Sequence, residues 1–311
     1  MKDKKLLHII SLTVIFIIFT MGKSLAQETL RVATYNIRND NQGDQTKGNG
    51  WQQRLPTMVQ LLRYQEFDVF GAQEVLHNQL INLLDSLPQY AHVGVGRDDG
   101  QTKGEYAPIF YNRDRFEVLS SGHFWLGEVT DRPTKGWDAA LPRICTYAQL
   151  EDQKSGKKLW VFNLHLDHVG KLARENSCKL VLTKVKELTS NEPVMLMGDF
   201  NVDQNNAIYG ILNKSGLVQD AYELAPLKYA TNGTFNAFDP NLKTNSRIDH
   251  IFLTGHFQVS KYAVLTDTYR SIPKEVEEVK KGDFPKELSF TESTARLPSD
   301  HFPVVIHVTL Q

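Results

Sequence analysis

Short apolar segments that border on an acidic or amide side chain recur along the sequence, and they constrain its fold more than any other feature. One such residue stands at the boundary of each of five segments: Asn36, Glu74, Asp199, Asp249 and Asp300. Apolar runs of this length predict buried strands. If the strand ends meet at one sheet edge, their like charges gather there at a cost that a divalent cation removes. Oxygen ligands of this kind favour Mg²⁺ or Mn²⁺ over zinc.

Strand-like and helix-like segments alternate along the chain and predict a single α/β domain. The predicted strands are 30–36, 67–72, 90–96, 106–112, 116–125, 143–151 and 158–166. The predicted helices are one with Pro56 in its first turn, one over 80–87 and one over 171–188. Because hairpins and helical crossovers occur together, we expect two mixed β-sheets packed face to face with helices outside. The segments 126–142 and 273–297 predict long surface loops.

The first 26 residues have the layout of a secretory signal peptide. Lysines at positions 2, 4 and 5 precede an apolar run over 6–21, and the small-residue site Ser24-Leu25-Ala26 follows it. The run is shorter than the ~20 residues that a membrane-spanning helix needs. We therefore expect cleavage after Ala26, a mature domain over 27–311 and a secreted protein of the periplasm or the extracellular space.

The composition is that of a folded protein, since 41% of the residues are apolar and 23% are charged, which excludes a disordered or collagen-like chain. Residues 1–26 carry four lysines and one aspartate, so without them the 35 basic and 36 acidic side chains become 31 and 35, a net charge of about −4. Proteins that hold nucleic acid by its phosphates need a basic face, so tight non-specific DNA binding is disfavoured. The only cysteines, Cys145 and Cys178, lie in apolar segments and predict buried free thiols.

Two histidines lie beside aspartates at predicted strand ends. In one predicted strand, alternation places Asn163, His165 and Asp167 on the same face. His301 directly follows Asp300 and precedes the last apolar segment. Histidines in such places have catalytic or structural roles, and the residues alone leave both open.

Six motifs follow one another from about residue 30 to residue 308. They are Thr34-Tyr-Asn-Ile-Arg38, Gly71-Ala-Gln-Glu74, Asn163-Leu-His-Leu-Asp-His168, Gly198-Asp-Phe-Asn201, Arg247-Ile-Asp-His-Ile-Phe252 and Ser299-Asp-His-Phe-Pro303. Each motif is weak alone, but the ordered series resembles that of the endonuclease/exonuclease/phosphatase superfamily, the deoxyribonuclease I-like metal-dependent phosphoesterases. The resemblance implies a four-layered α/β sandwich with the active site at one edge of its two sheets.

The resemblance implies a metal site as well. Glu74 matches the principal ligand of Mg²⁺ (or Mn²⁺), and Asn36 and Asp300 match residues that support the metal directly or through water. A metal with fixed donors around it stabilises the charge that develops when water attacks phosphorus in line.

Five further positions match catalytic residues of the superfamily. Asp199 matches the residue that orients or deprotonates the attacking water, and Asn201 the one that positions this water or a phosphate oxygen. His301 matches the histidine that contacts the scissile phosphate, Asp249 the carboxylate that orients its ring, and His165 a second histidine on the phosphate side. No serine, cysteine or threonine lies directly beside a histidine in these motifs, so we expect one-step hydrolysis by water, with Asp199 and His301 both open as the general base.

We expect a phosphoester hydrolase, in the first place a phosphodiesterase, that acts on nucleic acid, a phospholipid head group or a sugar phosphate. A phosphomonoesterase of the same fold stays open. So does a metallo-β-lactamase-like zinc hydrolase, for which Asn163-x-His165-x-Asp167-His168 lacks one ligand, and so does a secreted binding module without catalysis. No feature implies a protein partner, and we expect a monomer.

A few residues in or beside the predicted loops could form the rim that contacts the substrate. These are Arg97, Tyr106, Arg143, Phe235 and Phe238. Aromatic side chains there could stack on a base or a sugar, and packing within the loops is an equally good expectation.

Overall fold

The computed structural model describes residues 28–229, 232–272, 278–279, 285 and 287–311, so the predicted signal peptide lies outside the described residues. The strands are β1 (Thr29–Asn36), β2 (Val69–Gln73), β3 (Tyr90–Val93), β4 (Ile109–Asn112), β5 (Phe116–Trp125), β6 (Ile144–Asp152), β7 (Lys158–His165), β8 (Val194–Asp199), β9 (Gln219–Asp220), β10 (Leu227–Tyr229), β11 (Asp249–Leu253), β12 (Phe257–Val264), β13 (Tyr269–Ser271), β14 (Glu278–Val279), β15 (Phe290–Thr291), β16 (Thr294–Arg296) and β17 (Val304–Leu310). The helices are α1 (Gln42–Thr46), α2 (Trp51–Gln65), α3 (His77–Ser86), α4 (Lys171–Thr189), α5 (Ala207–Asn213) and α6 (Ala221–Leu224). No helix in this described part of the chain is long and apolar enough to cross a bilayer.

Most of the strands belong to two mixed sheets. One sheet has seven strands in the order β10-β12-β17-β1-β2-β4-β3, and the other has six in the order β5-β6-β7-β8-β11-β9. The parallel neighbours β1 and β2 are connected through α2, and the parallel neighbours β7 and β8 through α4, as parallel pairing requires. The strands predicted over 143–151 and 158–166 correspond to β6 and β7, which pair antiparallel as a hairpin.

Three apolar clusters separate the molecule into four layers. The central cluster lies between the two sheets and includes Val32, Val69, Val161, Met195 and Ile251. A second cluster packs α2 and α3 on the outer face of the seven-stranded sheet, and a third packs α4 and α5 on the six-stranded sheet. The predicted four-layered α/β sandwich with helices outside is confirmed, and burial of these clusters is the main favourable term in its folding.

The alternation along β7 directs neighbouring side chains into two different cores. Val161 joins the cluster between the sheets, whereas Phe162 and Leu164 join the cluster beneath α4. Cys145 and Cys178 lie in that outer cluster as buried free thiols, which confirms the prediction made for them.

Asn163 makes a polar contact across the central core, from one sheet to the other. Its Nδ2 donates to the backbone oxygens of Ala72 (2.7 Å) and Pro108 (2.8 Å), and its Oδ1 accepts from Gln73 Nε2 (2.6 Å). Gly71 provides the space, because a Cβ at this position would lie 2.5 Å from Asn163 Oδ1. The contact sets the spacing of the sheets close to the strand ends that carry the predicted site.

The prediction that Pro56 lies in the first turn of its helix is wrong. The helix α2 begins at Trp51, and Pro56 lies inside it. The physical reason is tertiary packing, since Trp51 and Arg54 are both buried and draw the preceding turn into the helix. The Gln53 side chain then accepts from the backbone N–H of Gly50 (2.9 Å) and satisfies the helix end.

The two predicted loops differ in their outcome. The segment 126–142 contains no helix and no strand, as expected. The segment 273–297 lies partly outside the described residues, and its described part contains the short strands β14, β15 and β16, so the prediction of a loop throughout is wrong there. These strands belong to two small two-stranded sheets apart from the main ones.

We expect Gly71→Ala to lower the free energy of unfolding by about 1–3 kcal/mol, because overpacking a well-packed core costs that much. Gly255→Ala is the matched control, since a Cβ at Gly255 meets no atom within 4 Å. Urea unfolding measures both variants. Equal stability of the two would contradict the close approach of Asn163 to β2.

Candidate active site

Three side chains meet at one end of the six-stranded sheet. Asp199 ends β8 and has His165, at the end of the parallel strand β7, as its neighbour on one side. On the other side is Asp249, which begins the antiparallel strand β11. All three are buried. Strand pairing therefore places two carboxylates and an imidazole side by side.

The seven-stranded sheet brings a second group of side chains to the same edge. Asn36 ends β1, and Glu74 follows β2 in the left-handed backbone conformation, with φ 60°. Asp300 and His301 precede β17, which pairs with β1. Arg38 also has a positive φ, 57°. Such angles are uncommon outside glycine and cluster at functional sites.

The two groups surround a cleft of about 580 Å³. The predicted site residues that line it are Glu74, His165, Asp199, Asn201, Asp300, His301, Arg143, Phe235 and Phe238. Asn36 and Asp249 have no exposed surface and contact these residues from behind. One pocket thus brings together the residues that the sequence distributes over most of the chain.

Two predicted rim residues, Arg97 and Tyr106, lie outside the lining of this cleft. Both are buried. Arg97 is paired with the Glu105 carboxylate, and the Tyr106 hydroxyl lies 3.0 Å from His77 Nδ1. Internal partners therefore occupy both side chains, and only the other three predicted rim residues face the cleft.

The Asn36 amide connects the two sheets at the site. Its Nδ2 donates to Glu74 Oε1 (3.1 Å) and Asp199 Oδ2 (3.0 Å), and its Oδ1 accepts from the backbone N–H of Arg38 (3.0 Å). Ser299 Oγ donates to the Asn36 carbonyl oxygen (2.7 Å) and ties β1 to the segment before β17. Asn36 therefore orients two carboxylates from behind, while its own amide oxygen is engaged by the backbone.

His301 is held as a cation by two carboxylates. Its Nδ1 is hydrogen-bonded to Asp249 Oδ2 (2.9 Å), and its Nε2 lies 3.8 Å from Asp199 Oδ2. Burial would lower the pKa of His301, but Asp249 and Asp199 outweigh burial and raise the pKa to about 10. The Phe235 ring packs edge-on against the imidazole, with 5.1 Å between the centroids. The site thus contains a fixed imidazolium that can donate to a phosphoryl oxygen.

Asp199 has the properties of a general base. Burial and the neighbouring Asp249 carboxylate raise the pKa of Asp199 to about 7, against the opposite effect of His301 and Asn36. Its Oδ1 accepts from the backbone N–H of Asn201 (2.9 Å), which fixes the orientation of the carboxylate. A carboxylate with this pKa exchanges a proton near neutral pH, which is the range where general bases are most effective.

Asn201 lines the cleft with its side-chain amide held in one orientation. Its Nδ2 donates to the Leu166 carbonyl oxygen (3.0 Å) and to His165 Nε2 (3.1 Å). Because a carbonyl oxygen only accepts, the atom next to Leu166 is the amide nitrogen, and the amide orientation is fixed. Burial, with the Arg143 and Arg97 guanidinium groups, holds the pKa of His165 far below its usual value, so the ring is neutral and accepts at Nε2.

Glu74 and Asp300 are the carboxylates that fit a divalent cation. Both line the cleft, and the Arg38 guanidinium lies 3.7 Å from Glu74 Oε2 and 3.6 Å from Asp300 Oδ2. Carboxylate oxygens are the ligands that Mg²⁺ and Mn²⁺ prefer. A second set of ligand atoms within 4.8 Å of one another, found among the described residues, belongs to Asp199, Asp249 and His301. His301 and Asp249 of that set are hydrogen-bonded to each other through Nδ1 and Oδ2.

Four charged residues that line the cleft were not predicted from the sequence, namely Arg38, Asp44, Lys47 and Glu105. Arg38 pairs with the Asp44 carboxylate (2.7 Å) in addition to the two carboxylates of the cleft. Glu105 lines the cleft, and burial raises its pKa. Arg38 stands inside the first motif and Glu105 directly before Tyr106, but neither marks the boundary of an apolar run, as Asp199 and Glu74 do.

Arg54 was also missed, although it supports the site from below. It is fully buried, and its guanidinium donates to the backbone oxygens of Asn49, Ile37, Pro298 and Arg38. These bonds attach the loop after β1 to the segment before β17. The sequence does indicate that Arg54 is buried, since it shares one helical face with the apolar residues Met58 and Leu62. A charged residue on such a face needs internal partners.

The zinc-hydrolase alternative requires four side chains to converge, and they do not. Asn163 is engaged between the sheets. His165 faces the cleft, whereas Asp167 and His168 both bind Arg143. The four residues of that motif therefore lie in three different environments and do not form one metal site.

Two mixed sheets packed face to face hold carboxylates, asparagines and an imidazolium at one edge. This arrangement indicates a phosphoesterase with an α/β-sandwich fold. The model of the Endonuclease/Exonuclease/phosphatase family matches residues 33–301, and the chain belongs to this family. Members of the family are phosphoester hydrolases that generally depend on a divalent metal.

Similar solved structures extend over almost the whole chain. The mannosyl-6-phosphatase of Bacteroides thetaiotaomicron VPI-5482 is 47% identical, with a TM-score of 0.83 over 90% of this chain and 100% of that one. An endonuclease/exonuclease/phosphatase family protein from Bacteroides thetaiotaomicron is 46% identical, with a TM-score of 0.84 over 91% and 98%. An uncharacterized protein of Acanthamoeba polyphaga mimivirus is 27% identical over 162 residues, which are 49% of this chain and 60% of that protein's length.

We expect the folding stability of the metal-free protein to fall as the pH rises from 6.5 to about 10. The folded protein keeps the His301 proton up to its pKa of about 10, whereas the unfolded chain loses it near 6.5. Stability that is fully present below pH 6.5 is therefore lost through this window. Asp199 acts in the same direction between pH 3.8 and about 7, since its pKa is also raised. Thermal unfolding in EDTA across this range measures the slope.

Asp249→Asn is the informative variant for this prediction. It removes a carboxylate that raises the pKa of His301, so the His301 pKa should move towards its ordinary value and the slope above pH 6.5 should flatten. NMR titration of the His301 ring in both proteins reads the pKa directly. Identical titration curves would contradict the pairing of His301 with Asp249.

Proposed function

We propose that this protein is a divalent-metal-dependent phosphatase that hydrolyses a phosphomonoester carried by a sugar. The main support for this proposal is that Asp199 Oδ2 lies 3.8 Å from Nε2 of the His301 imidazolium in one small cleft. The Asp199 carboxylate takes up a proton near neutral pH. Such a pair can deprotonate a water and bind phosphoryl oxygens. The signal-peptide layout of residues 1–26 supports action outside the cytoplasm.

Water is the nucleophile in this mechanism. The described residues that line the cleft include no serine, threonine or cysteine that could attack phosphorus. Asn201, fixed by neutral His165, orients the water through its amide oxygen, and Asp199 takes the proton. His301, held by Asp249, donates to a phosphoryl oxygen as negative charge develops on it.

Glu74 and Asp300 would hold the metal, with Asn36 keeping Glu74 in orientation. Their oxygens suit Mg²⁺ or Mn²⁺. When bound, the metal supplies Lewis-acid stabilisation of the charge on the phosphoryl oxygens.

The cleft favours a small polar substrate over nucleic acid. Its lining has five carboxylates against four cationic side chains, the His301 imidazolium and three lysine or arginine residues, whereas a surface that holds nucleic acid needs an excess of positive charge. Its volume of about 580 Å³ suits a small molecule. A similar protein at 47% identity is described as a mannosyl-6-phosphatase. These observations support narrowing the phosphodiesterase expected from the sequence to a phosphomonoesterase for sugar phosphates.

We expect Asp199→Asn and His301→Ala each to lower kcat on a hexose phosphate by about 10²–10⁴-fold, the usual effect of losing an acid–base group. Asp85→Asn, an exposed position on α3, is the control. Steady-state kinetics with Mg²⁺ or Mn²⁺ on sugar phosphates, a phosphodiester and DNA measure rate and substrate class together. Near-normal turnover in both site variants, or faster cleavage of the diester or DNA, would contradict the proposal.

We expect Glu74→Gln to weaken Mg²⁺ or Mn²⁺ binding at least about tenfold, since even residues behind the ligands change metal affinity by that factor. Isothermal titration calorimetry measures binding without substrate. Glu117→Gln, on the exposed part of β5, serves as the matched control. Undiminished binding in Glu74→Gln would show that the metal binds elsewhere.

A further inference from the structure

Arg143 lines the cleft, and one nitrogen of its guanidinium has no hydrogen-bond acceptor among the described residues. The residue is 3% exposed. Its Nε donates to Asp167 Oδ2 (3.2 Å) and its Nη2 to His168 Nδ1 (2.9 Å). Its Nη1 is buried and has no hydrogen-bond partner among the described residues, although the side chain lines the cleft. Buried donors are nearly always satisfied, so this one points to an acceptor on a ligand.

The direction of the Arg143 guanidinium is fixed by its partner. Asp167 Oδ1 accepts from the backbone N–H groups of Val169 (3.0 Å) and Gly170 (2.7 Å), directly before α4. The helix start thus anchors Asp167, and Asp167 anchors Arg143. A donor held in this way acts on a defined atom of a ligand and contributes to selectivity.

The charges around Arg143 select the kind of acceptor. Asp167 compensates the positive charge of Arg143, and Glu105 and Arg97, which line the small recess beside it, are paired with each other. No uncompensated positive charge in these two pairs is therefore left to hold a second anion. Because a guanidinium only donates, His168 accepts at Nδ1, and the N–H of its neutral ring is at Nε2. Arg143 and His168 both line the cleft, and N–H donors whose charge is already compensated suit hydroxyl oxygens.

We propose that Arg143 and His168 bind hydroxyl oxygens of the sugar, on the leaving-group side of the phosphorus, and thereby select sugar phosphates over other phosphomonoesters. This inference rests on the proposed phosphatase function. The phosphate itself is assigned to His301 and the metal, which leaves Arg143 for the alcohol. Leu141 lines the same cleft and offers apolar surface to the C–H face of a sugar ring.

The test compares two esters that share the phosphate and differ in the alcohol, a hexose 6-phosphate and p-nitrophenyl phosphate. The measured quantity is the ratio of their kcat/KM values. Arg143→Met should lower this ratio about 10- to 100-fold, the effect expected for a hydrogen bond from a charged donor. Arg113→Met, at an exposed position, is the matched control and should keep the ratio.

His168→Ala, at an exposed position, provides a second variant. It is needed if circular dichroism shows that Arg143→Met does not fold. It should lower the same ratio by about 3- to 10-fold, as for a neutral donor. Hexose 6-phosphates that lack single hydroxyl groups then identify the acceptor. With the wild-type protein, one of these analogues should have a kcat/KM about 10- to 100-fold lower than that of the complete hexose 6-phosphate. With Arg143→Met, the difference between the two substrates should be much smaller.

The outcomes separate this inference from the proposed function. Equal losses on both esters in Arg143→Met would overturn the inference and leave the phosphatase intact, because Arg143 would then act on the phosphate. An unchanged ratio in both variants would overturn it as well. A wild-type protein that hydrolyses no sugar phosphate would overturn the proposed function and the inference together.

Discussion

The structure depends on how it keeps several buried carboxylates together at one edge of two facing sheets. Those closest to the proposed reaction are Glu74, Asp199, Asp249 and Asp300. Where water is excluded, such charges repel one another strongly. The Asn36 amide donates to Glu74 and Asp199, His301 lies between Asp199 and Asp249, and Arg38 lies within 4 Å of Glu74 and Asp300. The compensation is partial, and the excess negative charge is what a divalent cation would neutralise.

Two polar contacts in the interior hold this edge in place. Asn163 binds the seven-stranded sheet from the six-stranded sheet. Arg54 binds the loop after β1 to the segment before β17. Because both contacts end next to the strand ends of the cleft, we expect a substitution that breaks either contact to displace side chains of the proposed active site. Small displacements of reacting groups cost much of the rate, so stability and activity are coupled in this fold.

The two mixed sheets and several polar strand ends could be predicted from local patterns, whereas the four-layered sandwich and the roles of the site residues were predicted from the resemblance of six motifs to a known superfamily. Strand alternation identified β7 and its two faces, and polar residues at the ends of apolar runs identified Asp199 and Glu74. Arg54 could not be placed in this way, since it binds the backbone of Pro298, 244 residues away. The rim prediction for Arg97 and Tyr106 had the same weakness: the sequence shows a polar or aromatic side chain in a loop, but not whether an internal partner already engages it.

The central claim is that water, and no side chain, attacks the phosphorus at this edge. The stereochemical course of the reaction tests it most directly, with a phosphorothioate monoester that is made chiral with oxygen isotopes and hydrolysed in isotopically labelled water. A single in-line attack predicts inversion of configuration at phosphorus. Retention would require two displacements through a phosphorylated side chain, and it would contradict the proposed roles of Asp199, Asn201 and His301.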